Sequence, residues 1–382
     1  MKPRVLILHN FLTPYRIPLF AELAKRFELE VWLLGDVRAI REWPGEVPPD
    51  AFRHRFLPHW GMPTGSRDYR LLINYSLPWA LPDCRPDVLV CCGWDTPAVL
   101  YAARWAKRKR VPLVLWSGST AGEPNWRRTV SRPLVQRYVR KADAWVAYGT
   151  RAQEYLVSLG ADASRVFRAY NTVDTTHFAQ AAAASAGEED DLRRRLGVGN
   201  ARVVLYCGQL IDRKGLPDLI PAFGRFAREH EGVTLVVAGS GKREDAYRGL
   251  ANSAGVEERV VFAGFVAREQ LPAHYAMADL FTLPSRQEVW GLVINEALAC
   301  GVPVLTTNAT GASVDLIRDG VNGYAVPAAS PEALYQALKR HFADETDLAA
   351  MRTAARESIA PFTIARAADA FDQAVACALG RG

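Results

Sequence analysis

The chain alternates short β-branched and aliphatic runs with longer stretches whose apolar positions recur every three or four residues. Side chains repeat every two residues in a strand and every 3.6 in a helix, so the two patterns can be separated. Strand-like runs fall at 4–8, 29–34, 87–92, 112–116 and 144–148, with helical stretches at 16–27, 97–109 and 132–141 among them. From 171 to 196 the alternation lapses. Residues 179–186 are almost all alanine, and Gly187-Glu-Glu-Asp-Asp-Leu192 opens a charged helix. A second series then has strands at 202–207, 234–238, 259–262, 280–283 and 302–306, separated by helices at 216–230, 245–253, 270–277, 292–300 and 331–342. Apolar strands separated by amphipathic helices make parallel sheets covered on both faces. The expected architecture is α/β: a doubly wound domain at 1–178, a linker at 179–200 and a second doubly wound domain at 201–361. A last helical stretch within 362–382 has no strand after it and is expected to pack back on the first domain.

Composition adds the setting. At 382 residues, 49% hydrophobic and 23% charged, the chain can bury two ordinary cores. No apolar run approaches the ~20 residues of a membrane span, and the apolar stretch after Met1-Lys-Pro-Arg4 reads as a strand, too short for a signal peptide. The six cysteines have no Cys-x-x-Cys spacing and lie mostly in apolar segments, which suits buried thiols in a reducing cytoplasm. Charge is unevenly distributed. Up to Phe178 there are 26 basic against 16 acidic residues, and beyond it 21 against 25. The basic first half can attract an anionic membrane surface, a lipid-diphosphate acceptor or nucleic acid. Nucleic acid is set aside because the basic residues form no recognisable binding motif.

The densest chemistry is in Ser285-Arg-Gln-Glu-Val-Trp-Gly-Leu-Val-Ile-Asn-Glu-Ala-Leu-Ala-Cys-Gly301. A strand ends just before it, a loop carries Glu288, and a helix opening near Gly291 carries Glu296. A helix start presents unpaired N–H groups and a positive dipole end to a phosphate. Two carboxylates beside it can bind sugar hydroxyls, which suggests a nucleotide-sugar site; two solvated surface glutamates are the alternative. Upstream, Tyr206-Cys-Gly-Gln-Leu-Ile-Asp-Arg-Lys-Gly215 ends a strand at Gly208 and places Arg213 and Lys214 at a helix entry. Adjacent cations there can hold a diphosphate. The Gly239-Ser-Gly241 segment lacks the third glycine of the dinucleotide fingerprint and reads as a tight turn.

In order, the basic pair, the glycine turn, Val261-Phe-Ala-Gly-Phe265, the paired glutamates, Gly301-Val-Pro-Val-Leu305 and Ile317-Arg-Asp-Gly-Val-Asn-Gly-Tyr324 resemble the donor domain of family-4 retaining glycosyltransferases. The likeness is close over 202–342. Thr13-Pro-Tyr-Arg-Ile-Pro-Leu-Phe20, Tyr148-Gly-Thr-Arg-Ala-Gln-Glu-Tyr-Leu156 and Asn171-Thr-Val-Asp174 resemble the same family more loosely, the first of them a subgroup of bacterial surface-polysaccharide enzymes. The resemblance implies a GT-B fold, two tandem Rossmann-like domains facing a central cleft, and a retaining hexosyl-type transfer with no metal or other cofactor. Lys214 and Arg213 would neutralise the diphosphate, and Glu288 would hold the donor sugar. Glu296 would grip the ribose hydroxyls, and Gly208, Gln209 and the amides of Gly291, Leu292 and Val293 would meet the phosphates. Phe265 or Val266 would lie near the base.

The implied donor is a UDP-sugar first and a GDP-sugar next. The implied acceptor is a glycan or polyprenyl-diphosphate-linked chain, met in the cytoplasm at the inner membrane face. On the acceptor side the candidates are Tyr15, Arg16, Trp94, Asp95 and Ser117, with Ser119 and Glu123 lining the loop and Trp126-Arg-Arg128 near lipid headgroups. For Arg16 a solvated helix residue is the default reading, and Trp94-Asp95 could equally be a buried ring with a helix cap. Two departures bear on diphosphate affinity and sugar contact. Gln209 stands where many relatives carry arginine, and a polar loop after Trp116 stands where many carry histidine. A non-catalytic nucleotide-sugar-binding protein and a sugar-nucleotide epimerase therefore remain as rivals. A glycan phosphorylase is disfavoured for want of a recognisable lysine anchor for pyridoxal.

Overall fold

The computed structural model describes residues 2–35, 51–63, 70–122, 126–344 and 346–381, and it divides into two compact units. Unit 1 comprises Met1–Thr172 with Ile364–Gly382, and unit 2 comprises Val173–Thr363. The division therefore falls before the expected boundary at 178. The stretch 179–200 is not a bare linker. It carries the end of α6 (Thr175–Ala184) and α7 (Glu189–Leu196), and both helices pack on α10 (Leu271–Ala276) of unit 2. Phe178 and Leu192 anchor them, each nearly removed from solvent. The alanine run had concealed a helix, alanine being the best helix former.

Unit 1 holds β1 (Arg4–His9), α1 (Ile17–Arg26), β2 (Glu28–Leu33), β3 (Arg53–Phe56), β4 (Trp60–Pro63), β5 (Arg70–Ile73), α2 (Leu77–Cys84), β6 (Val88–Cys92), α3 (Pro97–Lys109), β7 (Leu113–Ser117), α4 (Trp126–Val139), β8 (Ala144–Ala147), α5 (Thr150–Ser158) and β9 (Val166–Arg168). Its parallel sheet runs β3-β2-β1-β6-β7-β8-β9, with β4 and β5 as a separate antiparallel pair. One face packs Leu77, Leu81, Val99, Ala102, Val139 and Leu156 of α2 to α5. The other packs Phe20 and Leu23 of α1 with Phe371 and Val375 of α15 (Ile364–Ala378), so the last helix completes the first unit.

Unit 2 continues with β10 (Arg202–Cys207), α8 (Leu216–Glu229), β11 (Val233–Ala238), α9 (Glu244–Ser253), β12 (Val260–Gly264), β13 (Leu280–Leu283), α11 (Leu292–Ala299), β14 (Val304–Thr307), α12 (Ser313–Leu316), β15 (Gly323–Val326), α13 (Pro331–His341) and α14 (Leu348–Ile359). Its parallel sheet runs β12-β11-β10-β13-β14-β15. Strand order reverses direction at β10/β13 here and at β1/β6 in unit 1. In open α/β sheets such a reversal leaves a crevice outside the carboxyl ends of the two strands, where ligands bind.

Candidate functional site

At the unit 2 crevice, the chain leaving β10 passes Gly208 and a short turn, Asp212–Lys214, before α8. Gly215 closes that turn with φ +83°, and a Cβ there would lie 1.8 Å from the Pro284 carbonyl oxygen. Only glycine permits both the left-handed backbone and the contact. Beside it Asp218, 5% exposed, accepts two hydrogen bonds from Arg286, from Nε and Nη2 at 2.7 Å each. This fork holds the first turn of α8 to the loop after β13, and the Arg286 amide adds a bond to the Arg213 carbonyl at 2.8 Å. The result is a direct ion pair: Lys214 Nζ donates to Glu288 Oε2, with both side chains largely shielded.

The loop carrying Glu288 is held by its neighbour: the Glu288 amide donates to the Ala309 carbonyl, and its own carbonyl accepts from the Gly311 amide. Gly291, at φ +94°, turns the chain into α11, and a Cβ there would lie 2.8 Å from Leu283 Cδ2. The half-buried amides of Leu292 and Val293 then open the helix with no acceptor inside it. One turn on, Glu296 is fully buried, and its Oε2 accepts the Tyr275 hydroxyl at 2.7 Å. The nearby Cys207 thiol is pushed up to about 12, by burial first and the Glu296 charge second, while Lys214 pulls it back. Lys214, Glu288, Glu296 and the start of α11 therefore share one crevice.

The other residues expected on the donor side lie on the loops after β10 and β12. Gly208 lies against Gly239, whose Cβ would sit 1.9 Å from the Gly208 carbonyl oxygen, so the Gly239-Ser-Gly241 segment serves as a close-packing turn. The Gln209 side chain is exposed, and its carbonyl accepts the Tyr206 hydroxyl at 2.9 Å. Arg213 is exposed and reaches the Gln287 carbonyl at 3.5 Å. Phe265, 63% exposed, stands just past β12. Tyr275 is the residue the sequence concealed: it follows the apolar period of α10 and reads as plain core.

In unit 1, several loops at the β1/β6 crevice converge on Arg16. Its guanidinium is buried, stacks over Trp116 at 4.7 Å and Tyr148 at 4.9 Å, and donates to Asn171 Oδ1 at 2.8 Å and the Tyr148 hydroxyl at 2.6 Å. The solvated-arginine alternative is thereby overturned. Tyr15 occupies the short turn before it. His9 packs its ring 5.4 Å from Trp116. Burial, then the Arg16 charge, lowers its pKa to about 3, so it is neutral, with Nδ1 against the Phe11 carbonyl.

Ser117 is buried, and its hydroxyl accepts the Ser119 amide at 3.2 Å. Trp94 is packed in the core, 9% exposed, with its ring beside Tyr155. Asp95 is exposed but does not cap α3; Thr96 does, accepting the Val99 amide. Glu123 and the side chains of Trp126, Arg127 and Arg128 lie outside the described residues. Of the converging residues, His9 carried no sequence signal beyond ending β1. Tyr148 and Asn171 lay in motif segments but not among the chosen contacts.

Two α/β units of parallel sheet, one with a cation–carboxylate pair at a helix start in its switch-point crevice, define the GT-B class. Anabaena HepE, in complex with UDP, shares this fold at TM-score 0.77 and 21% identity over 97% of this chain and 98% of that one. Sucrose-phosphate synthase of Thermosynechococcus elongatus shares it at TM-score 0.70 and 18% identity, with the same two coverages. More narrowly, the chain belongs to the family-4 glycosyltransferases. Residues 19–177 match Glycosyltransferase Family 4, and residues 188–358 match Glycosyl transferases group 1.

Among curated relatives, a GDP-mannose-dependent alpha-(1-6)-phosphatidylinositol monomannoside mannosyltransferase of Mycobacterium tuberculosis is 35% identical over 192 residues, 48% of this chain and 49% of that protein. A D-inositol 3-phosphate glycosyltransferase of Xylanimonas cellulosilytica is 33% identical over 269 residues, 69% of this chain and 62% of that protein. The chain thus spans about half the length of the first of these relatives.

Proposed function

We propose that this chain transfers a sugar, with retention, from a nucleoside diphosphate donor to a glycan or polyprenyl-diphosphate-linked acceptor at the inner face of the cell membrane. The observation that carries the proposal is the Lys214–Glu288 pair facing the start of α11, with Glu296 one turn on. On this reading Lys214, helped by Arg213, meets the diphosphate as negative charge develops on it, and the Leu292 and Val293 amides bind its oxygens. Glu288 accepts hydrogen bonds from the sugar and turns C1 toward the acceptor. Glu296 accepts from the ribose. The bond from C1 to the phosphate oxygen breaks, and the acceptor oxygen bonds C1 from the same face. The departing phosphate oxygen takes the acceptor proton. Fixed cations supply the positive charge, so no metal is required.

For the donor, the sequence favoured a UDP-sugar. The mannosyltransferase relative is named for GDP-mannose, so both bases belong in the test. A non-catalytic binding protein is the second reading, favoured by the neutral, exposed Gln209. Nucleotide release from a UDP- and GDP-sugar panel, with lipid-extract acceptors, separates the two. Transfer by the wild type and its loss in Glu288→Ala support the proposal. Donor binding without nucleotide release in either protein sinks it.

A further inference from the structure

The mechanism leaves one surface of unit 1 unexplained. Of the twelve large hydrophobic side chains exposed among the described residues, nine are in unit 1. Trp60 is 68% exposed and Trp79 71%, and Tyr75 sets its ring 5.3 Å from Trp60. Two indoles this exposed are unusual, because a monomeric surface seldom leaves large apolar area in water without a use. They lie on β4, α2 and the turn between β5 and α2. α2 packs beside α3, on the same sheet face as α4.

The outer row of α3 changes character along its length. Leu100 and Tyr101 are exposed in its first half, and Arg104, Lys107 and Arg108 in its second. α4 adds Arg132, Leu134 at 73% exposure, and Arg137. The basic groups of the two helices lie close enough to act on each other. Partial burial and then Arg137, Arg104 and Lys107 lower the Lys141 pKa. Little opposes them: residues 97–142 contain eleven basic side chains and one acidic, Glu123, and α2 adds Asp83.

We infer that the α2–α3–α4 face of unit 1 docks on an anionic lipid surface, its indoles and leucines at the headgroup boundary and its arginines and lysines on lipid phosphates. Tryptophan and tyrosine favour that boundary because one end of the ring system is apolar and the other is wet. Each basic side chain near such a surface contributes about 1 kcal/mol, roughly fivefold in affinity. A second copy of this chain is a poor occupant, since two such faces repel. Nucleic acid would leave Trp79, Leu100 and Leu134 without a role in binding phosphate. The inference deepens the membrane-facing reading above, but its measurement does not depend on transfer.

The test is co-sedimentation of the full chain with phosphatidylcholine vesicles, with and without phosphatidylglycerol. The expected result is binding only where phosphatidylglycerol is present, weakened by salt. Arg104→Ala with Lys107→Ala should bind about twenty-five-fold more weakly at low salt. Trp60→Ala with Trp79→Ala should weaken binding at every salt concentration. Unchanged thermal melts and donor binding show that the variants are folded. Absence of binding to phosphatidylglycerol vesicles, variants that bind like wild type, or single-stranded RNA bound while vesicles are not, would each overturn the inference. Nucleotide release measured without vesicles reports on the transferase proposal separately.

Discussion

At the scale of single residues, the donor crevice is a problem of charge placement. Lys214→Ala should lower kcat by about 10²–10³-fold, because a fixed cation at a departing phosphate stabilises charge present only in the transition state; steady-state kinetics with the preferred donor checks this. A raised KM with kcat unchanged would instead assign Lys214 to ground-state binding. Gly215→Ala should cost more than about 2 kcal/mol in chemical denaturation, since a methyl group there collides with the Pro284 carbonyl and φ is left-handed. Two buried histidines set an acid limit. His9 and His341 are lowered from 6.5 to about 3 and about 4, by burial first, so the unfolded chain binds protons that the folded one does not. Their contribution is present above pH 6.5 and is lost as pH falls from 6.5 toward 3. Melting temperature should fall through that window, and less steeply in His341→Phe relative to its own value at neutral pH. Glu288, Glu296 and Lys214 stood out in the sequence through the order of the motifs around them, since a carboxylate or a cation at a helix start is by itself a common structural feature, and the structure brings all three to one crevice. Trp94 stayed ambiguous in the sequence because an aromatic ring at a strand end looks the same whether it faces a ligand or the core, and the structure shows it buried.

At the scale of elements, the sequence showed the central strands of both sheets and the edge strand β12, and missed the edge strands β3, β9 and β15. β1, β6, β10 and β13 are apolar along their length because both faces are covered. β3 is Arg-His-Arg-Phe, mostly exposed at the sheet edge, while β9 and β15 are only three and four residues long, too short for a period to show. Charged edge strands are a common defence against pairing between molecules, and that defence hides them from pattern reading. α15 was legible as a stripe, and its partner is now explicit. Phe371, 1% exposed, sets its ring edge-on to Trp116 at 4.9 Å. Phe371→Ala should therefore cost about 3–5 kcal/mol and appear in urea unfolding as an earlier transition of unit 1, with unit 2 unchanged.

At the scale of the whole molecule, nucleotide release should be unaffected by EDTA, because the charges that meet the diphosphate are side chains and helix-start amides; a loss restored by added divalent cation would contradict the proposed chemistry. Residues 173–363 form a unit with its own sheet and core, and expressed alone they should give a single cooperative melt. Residues 1–172 alone should not, because α15 covers β7, β8 and β9 on one face of their sheet. That arrangement has a consequence for synthesis on the ribosome. α15 is made after every residue of unit 2, so β1 and α1 wait for their partner through the synthesis of that whole unit. Unit 2 can fold as it is released, while unit 1, begun before it, is finished after it, and Phe20, Leu23 and Trp116 lack part of their cover until α15 arrives.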